Sequence, residues 1–168
     1  MLLMLIDITV IFFRRIFLIS GQHQQDLFAC VASMLEDPQL EVRLGASSTL
    51  SGMIRCSPGE LRDHFIDALN TKFTRMLEKN PLPKRARNGL SASNSGTGTP
   101  TPEHNRLVLT RHAAVLGLGA LVSAFPYTSP PPKWIPGVLA TLARKANNDP
   151  GTVGKSVKRY VTIPDSPV

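Results

Sequence analysis

At 168 residues, 42% of them hydrophobic and 18% charged, the chain is long enough for one domain or roughly three to four helical repeat units and too apolar to be disordered throughout. Aromatic residues make up only 6%, so small and aliphatic side chains must fill the core; this favours helix-on-helix packing, an all-α fold, over a β-sandwich. The net charge of +7 is partly local, with Lys84, Arg85 and Arg87 close together, and otherwise scattered, which argues against direct nucleic-acid binding as the chain's main business.

Residues 1–19 form a strongly apolar run. Asp7 sits inside it, Arg14 and Arg15 interrupt it, no basic stretch precedes it and no small-residue cleavage site follows. It reads as a buried helix over 8–19 belonging to a larger array, with a signal-anchor as the alternative, and no membrane is expected. An apolar first helix is the opposite of the polar cap a repeat array needs, so exposed apolar surface and dependence on a partner are expected.

A helix is predicted over 22–35, with Leu27, Val31, Met34 and Leu35 as its apolar stripe. Glu36-Asp37-Pro38 breaks it, and a second helix over 40–55 carries Val42, Ala46, Leu50, Met53 and Ile54 inward. Ser57-Pro58-Gly59 ends that helix, and a third over 60–78 lines up Leu61, Phe65, Leu69, Phe73, Met76 and Leu77. Residues 79–105 are rich in Pro, Gly, Ser, Asn and Thr and cannot bury enough surface to order themselves, so they read as a flexible insertion. A helix over 106–124 follows; Gly117 and Gly119 cost it about 1 kcal/mol each against Ala, which suits a neighbouring backbone that must approach closely. Helices over 133–145 and 152–160 complete the series, and Pro164 and Pro167 stop it, leaving 161–168 as an irregular tail. Cys30 and Cys56 fall inside amphipathic helices and read as reduced and buried.

One plan occurs twice: an apolar helix, then Asp-Pro, then a second helix. In the first copy Asp37-Pro38 leads to Val42-Arg43, Ala46 and Leu50; in the second Asp149-Pro150 leads to Val153, Val157 and Lys158. The Asp can cap the second helix, and Pro suits its first turn, where a missing N–H is harmless. Arg43 is placed to reach back to Asp37, Ala46 leaves room for the partner helix and Leu50 fills the groove. This string resembles a HEAT repeat, and it implies an α-solenoid of about three helix pairs, occupying 1–78 and 106–160 on either side of the insertion.

A sharper resemblance covers roughly residues 10–160. Phe13-Arg14-Arg15-Ile16-Phe17, Leu35-Glu36-Asp37-Pro38-Gln39-Leu40-Glu41-Val42-Arg43, Thr49-Leu50-Ser51-Gly52, Arg111-His112-Ala113, Pro126-Tyr127, Trp134-Ile135-Pro136, Asn148-Asp149-Pro150 and Val157-Lys158 occur in this order. They are similar to the C-terminal region of the proteasome activator complex subunit 4 family, the large HEAT-repeat proteasome activators. The resemblance implies a scaffold, not an enzyme. It would cap the core proteasome particle, promote ATP- and ubiquitin-independent degradation, reside in nucleus and cytoplasm, and be linked to acetylated histones and DNA repair. No cofactor is implied.

Two departures bear on what carries over. The family's hydrophobic-Tyr-x ending inserts into the core particle, whereas this sequence ends Ile163-Pro164-Asp165-Ser166-Pro167-Val168, and Tyr160 is not positioned to substitute; the expectation is a segment unable to open the gate alone. The Asn-Phe pair of the family's bromodomain-like region corresponds here to Ser57-Pro58 after Cys56, so the amide that would hold an acetyl group is missing.

Other candidates are local. Lys84, Arg85 and Arg87, after Pro81-Leu82-Pro83, suit a nuclear import signal, with a plain solvated charge run as the alternative. Thr99-Pro100 and Thr101-Pro102 are candidate proline-directed phosphorylation sites. His112 reads as a packed, hydrogen-bonded side chain; His23, His64 and His104 have no metal-ligand spacing. Trp134 reads as an anchor for the connector, and no nucleophile elbow or phosphate loop occurs.

Overall fold

A computed structural model describes residues 18–81, 102–146, 149 and 151–161. The described residues form helices α1 (Gly21–Ser33), α2 (Leu40–Cys56), α3 (Gly59–Lys79), α4 (Pro102–Ser123), α5 (Ile135–Ala146) and α6 (Gly151–Val161). The fold is all-α, as the composition and periodicity require. Most of the expected first helix over 8–19 lies outside the described residues, as does the tail beyond 161.

Ser20 starts α1: its hydroxyl accepts the His23 N–H at 3.3 Å, satisfying one of the donors a helix start leaves open. The expected 22–35 helix divides, because after Ser33 the chain tightens into a 3-10 turn (Met34–Glu36) that aims Leu35 into the core. Ser57 and Pro58 separate α2 from α3, where proline supplies a start without needing an N–H. In α3, Phe65, Ile66, Leu69, Phe73 and Leu77 recur at helical spacing and are all buried. Helix α4 starts four residues before the expected 106: Pro102 opens it and Glu103 lies in its first turn, both favourable at a helix N-terminus.

The helices pair as α1/α2, α3/α4 and α5/α6, and the pairs stack in two layers. In one layer α2 packs on α4 and α4 on α6; in the other α3 touches α5. A stacked Phe28–Phe65 contact, centroids 3.7 Å apart, ties α1 to α3. This is the α-solenoid of three helix pairs, with one continuous core running from Phe28 to Val157. Helix α4 sits at its centre, packed on α2, α3, α5 and α6, and is buried continuously from Arg111 to Leu121. Its length and hydropathy would suffice to cross a membrane, but most of the qualifying stretch is covered by protein.

Two expectations are corrected. The cysteines are free, but Cys30 lies on the solvent face of α1 and Cys56 is only half-buried, so the amphipathic pattern misjudged which face each occupies. The glycines of α4 do admit close neighbours, but these are aromatic rings and not backbone. A Cβ on Gly117 would meet the Phe73 ring, and one on Gly119 the Tyr160 ring.

Candidate functional site: a polar spine and a basic groove

The first Asp-Pro turn is built differently from the capping expected of it. The Asp37 carboxylate accepts the N–H of Gln39 at 2.8 Å, closing the turn before the helix, and Gln39, the N-cap of α2, makes no side-chain cap. Arg43 does reach back, to carbonyls and not the carboxylate: its Nη1 donates to Asp37 O at 2.7 Å and to Pro38 O at 2.9 Å. Val42, Ala46 and Leu50 are buried, Ala46 and Leu50 within the continuous core. Burial lowers the Arg43 guanidinium, with Asp37 and Glu41 pulling the other way.

From Arg43 a hydrogen-bonded chain crosses the layer. Its Nε donates to His112 Nδ1 at 3.1 Å, and His112 Nε2 lies 3.0 Å from Ser156 Oγ. One side chain from each of α2, α4 and α6 is thereby linked. His112 is 1% exposed and its pKa is pushed down to about 4, by burial first and the Arg43 charge second. The ring is therefore neutral at ordinary pH. Because Arg43 can only donate, Nδ1 is the acceptor and the proton sits on Nε2, donated to Ser156. Ser47 Oγ adds a parallel tie to Leu116 O at 2.9 Å.

Its neighbour Arg111 faces the other layer. Nε pairs with Asp149 Oδ2 at 2.6 Å, Nη1 donates to Leu77 O at 3.0 Å and Asn80 O at 2.7 Å, and Nη2 to Lys145 O at 2.5 Å. One guanidinium thus holds the ends of α3 and α5 and the turn before α6. The second Asp-Pro turn supplies Asp149 to this clasp; Pro150 lies outside the described residues. Sequence reasoning gave Arg111 no role. A signal was present, a charged residue at the edge of the helix's apolar stretch, which must find partners once buried.

The solvent side of the α2–α4–α6 layer carries a groove of about 650 Å³, lined by Ser48, Ser51, Arg55, Ser123, Arg159 and Tyr160 among others. Arg55 closes the end of α4, donating from Nη2 to Ser123 O at 3.0 Å. Ser57, where the resemblance led to the expectation of no acetyl-holding amide, is buried and its hydroxyl donates to Met53 O at 2.8 Å, so it is spent locally. Trp134 packs edge-on against Phe125, centroids 5.7 Å apart. Lys84, Arg85, Arg87, Thr99 and Thr101 lie outside the described residues. Among the described residues no three His, Cys, Asp or Glu side chains converge as metal ligands would.

Stacked helix pairs, with buried polar groups consumed in fastening one pair to the next, define a HEAT-like repeat scaffold. Residues 108–163 match the family model described as Proteasome activator complex subunit 4-like, C-terminal. The chain is 33% identical over 159 residues to human Proteasome activator complex subunit 4, covering 92% of this chain and 8% of that protein. It is 28% identical over 149 residues to Proteasome activator subunit 4 of Arabidopsis thaliana (89% and 7% covered), and 29% identical over 132 residues to Proteasome activator BLM10 of Saccharomyces cerevisiae (79% and 5% covered). The chain belongs to the proteasome activator complex subunit 4 family, whose members are regulators and not a catalytic family. It spans less than a tenth of the length of these relatives.

Proposed function

We propose that this chain is a HEAT-repeat segment of a proteasome activator, which caps the core particle and promotes ATP- and ubiquitin-independent degradation by binding and not by catalysis. The observation that carries the reading is the 33% identity to human Proteasome activator complex subunit 4 across 92% of the chain. The fold supports it, since a stack of helix pairs is the architecture of an extended binding surface. Residence in nucleus and cytoplasm belongs to the same reading, with Lys84, Arg85 and Arg87 as import signal and phosphorylation of Thr99 or Thr101 offsetting their charge. Histone recognition through an acetyl-lysine site does not, because Ser57 offers no amide.

The test is retention of the purified chain on immobilised core proteasome without ATP, with hydrolysis of a fluorogenic peptide read alongside. Retention is the expected result, competed by a full-length relative. A chain that never associates with the core particle would leave a general HEAT scaffold as the better description.

A further inference from the structure

The C-terminal ends of α2, α4 and α6 converge on one edge of the molecule. Arg55 lies in the last turn of α2 and Arg159 in the last turn of α6, and both line the groove already described, beside Ser123 at the end of α4. Arg55 also borders a second cleft, of about 520 Å³, walled by Arg62, Phe125, Tyr127 and Pro132, so the two hollows adjoin.

The charged side chains that line this edge have one sign: among the described residues no carboxylate lines either hollow. Helix α6 has no acidic residue, and Arg159 has no ion-pair partner among the described residues. Arg62 lies 5.9 Å over the Phe125 ring, and its Nε is buried without a hydrogen-bond partner among the described residues. Its acid partner is the exposed Asp63 at 3.6 Å, a solvent-screened surface pair of little weight. Three guanidiniums set against only the partial negative ends of three helices and the exposed Asp63 leave this edge net positive. At its rim Tyr127 is 94% exposed, although tyrosine usually keeps its ring at least partly covered. An exposed aromatic ring beside arginines, at the edge of a cleft, is the composition of a binding hot spot.

We propose that this edge docks an extended acidic peptide segment of a partner protein. Carboxylates would pair with Arg159 and Arg62, where the guanidinium fork matches carboxylate geometry, and a prolyl or aliphatic side chain would lie on Tyr127 and Pro132. A peptide fits better than nucleic acid: a single exposed ring is no stacking platform for successive bases. The inference stands apart from proteasome binding, since its test contains no core particle.

The probe is a fluorescein-labelled peptide alternating glutamate and proline, followed by anisotropy on the whole chain. A lysine-for-glutamate peptide and single-stranded DNA of equal length run in parallel. The acidic peptide is expected to bind, more weakly as salt rises. Arg159→Ala, Arg62→Ala and Tyr127→Ala should each weaken it about tenfold, the last without altering the salt dependence. Arg159 and Tyr127 are exposed, so unchanged helical circular dichroism is expected for both variants. Lys72→Ala, on α3 and outside both hollows, removes the same charge and should leave affinity unchanged. The proposal is overturned if the acidic peptide does not bind, if DNA binds more tightly, or if Lys72→Ala costs as much as Arg159→Ala.

Discussion

An arginine that is 3% exposed is tolerable only if its charge is paired and its donors are used. Arg111 meets both conditions through Asp149 and three backbone carbonyls. Asp149→Asn leaves the guanidinium buried without its counter-charge and is expected to cost about 3–5 kcal/mol in urea unfolding. Arg111→Met should cost at least as much, because the carbonyls of Leu77, Asn80 and Lys145 lose their donor. A loss below ~1 kcal/mol for either would mean that water replaces the clasp. His112 makes a separate claim, on pH. Its folded pKa of about 4 lies below the ordinary 6.5, so the unfolded chain takes up a proton that the folded chain refuses. Its contribution is complete above 6.5 and is lost as pH falls from 6.5 toward 4, by up to ~1.4 kcal/mol per pH unit. Urea midpoints across that range should fall more steeply for the parent chain than for His112→Gln; parallel curves would remove His112 from the account. Of these contacts only the local ones were legible. Arg43 lies six residues beyond Asp37, so spacing alone suggested the reach, whereas Arg111 and Asp149 are 38 residues apart and no pattern in one sequence joins them.

At the scale of the helix, periodicity located α2 and α3 to within a residue or two, because each shows the core one face and water the other. It located α4 but not its orientation: from Ala113 to Leu121 that helix is apolar on every side and has no preferred face, so its central position follows only once its neighbours are known. The same crowding decides what its glycines do. On an isolated helix Gly→Ala gains about 1 kcal/mol. Here a Cβ on Gly117 meets Phe73, which is fully buried with nowhere to turn, so Gly117→Ala is expected to lose about 1–3 kcal/mol net. Gly119 faces Tyr160, which is half-buried in the last turn of α6 and borders the open groove, so its ring has somewhere to move. Gly119→Ala is therefore expected to lose less. Thermal unfolding of the two variants side by side checks the order, and equal losses would show that Tyr160 is as fixed as Phe73.

For the whole molecule the question is whether three helix pairs melt as one. Repeat arrays couple only through nearest-neighbour contacts, so cooperativity can break between units. Two features oppose that here. Helix α4 packs on four other helices, and the polar residues bridge pairs: Arg43–His112–Ser156 joins α2, α4 and α6, while Arg111 joins α3, α4, α5 and the turn before α6. The chain carries its own reporter, because its one tryptophan, Trp134, packs on Phe125 at the entrance to α5 and so reads the last pair, whereas far-ultraviolet circular dichroism reads every helix. In the parent chain the two signals should trace one urea transition. In Arg111→Met the last pair loses its fastening at both Asp149 and Lys145, leaving mainly the apolar contacts of α4 with α5 and α6 to hold it. The Trp134 transition should then move to lower urea and precede the loss of helicity. If the curves stay superimposed while both shift, apolar packing through Leu116, Leu142 and Val157 suffices to couple the pairs, and the clasp contributes stability without contributing cooperativity.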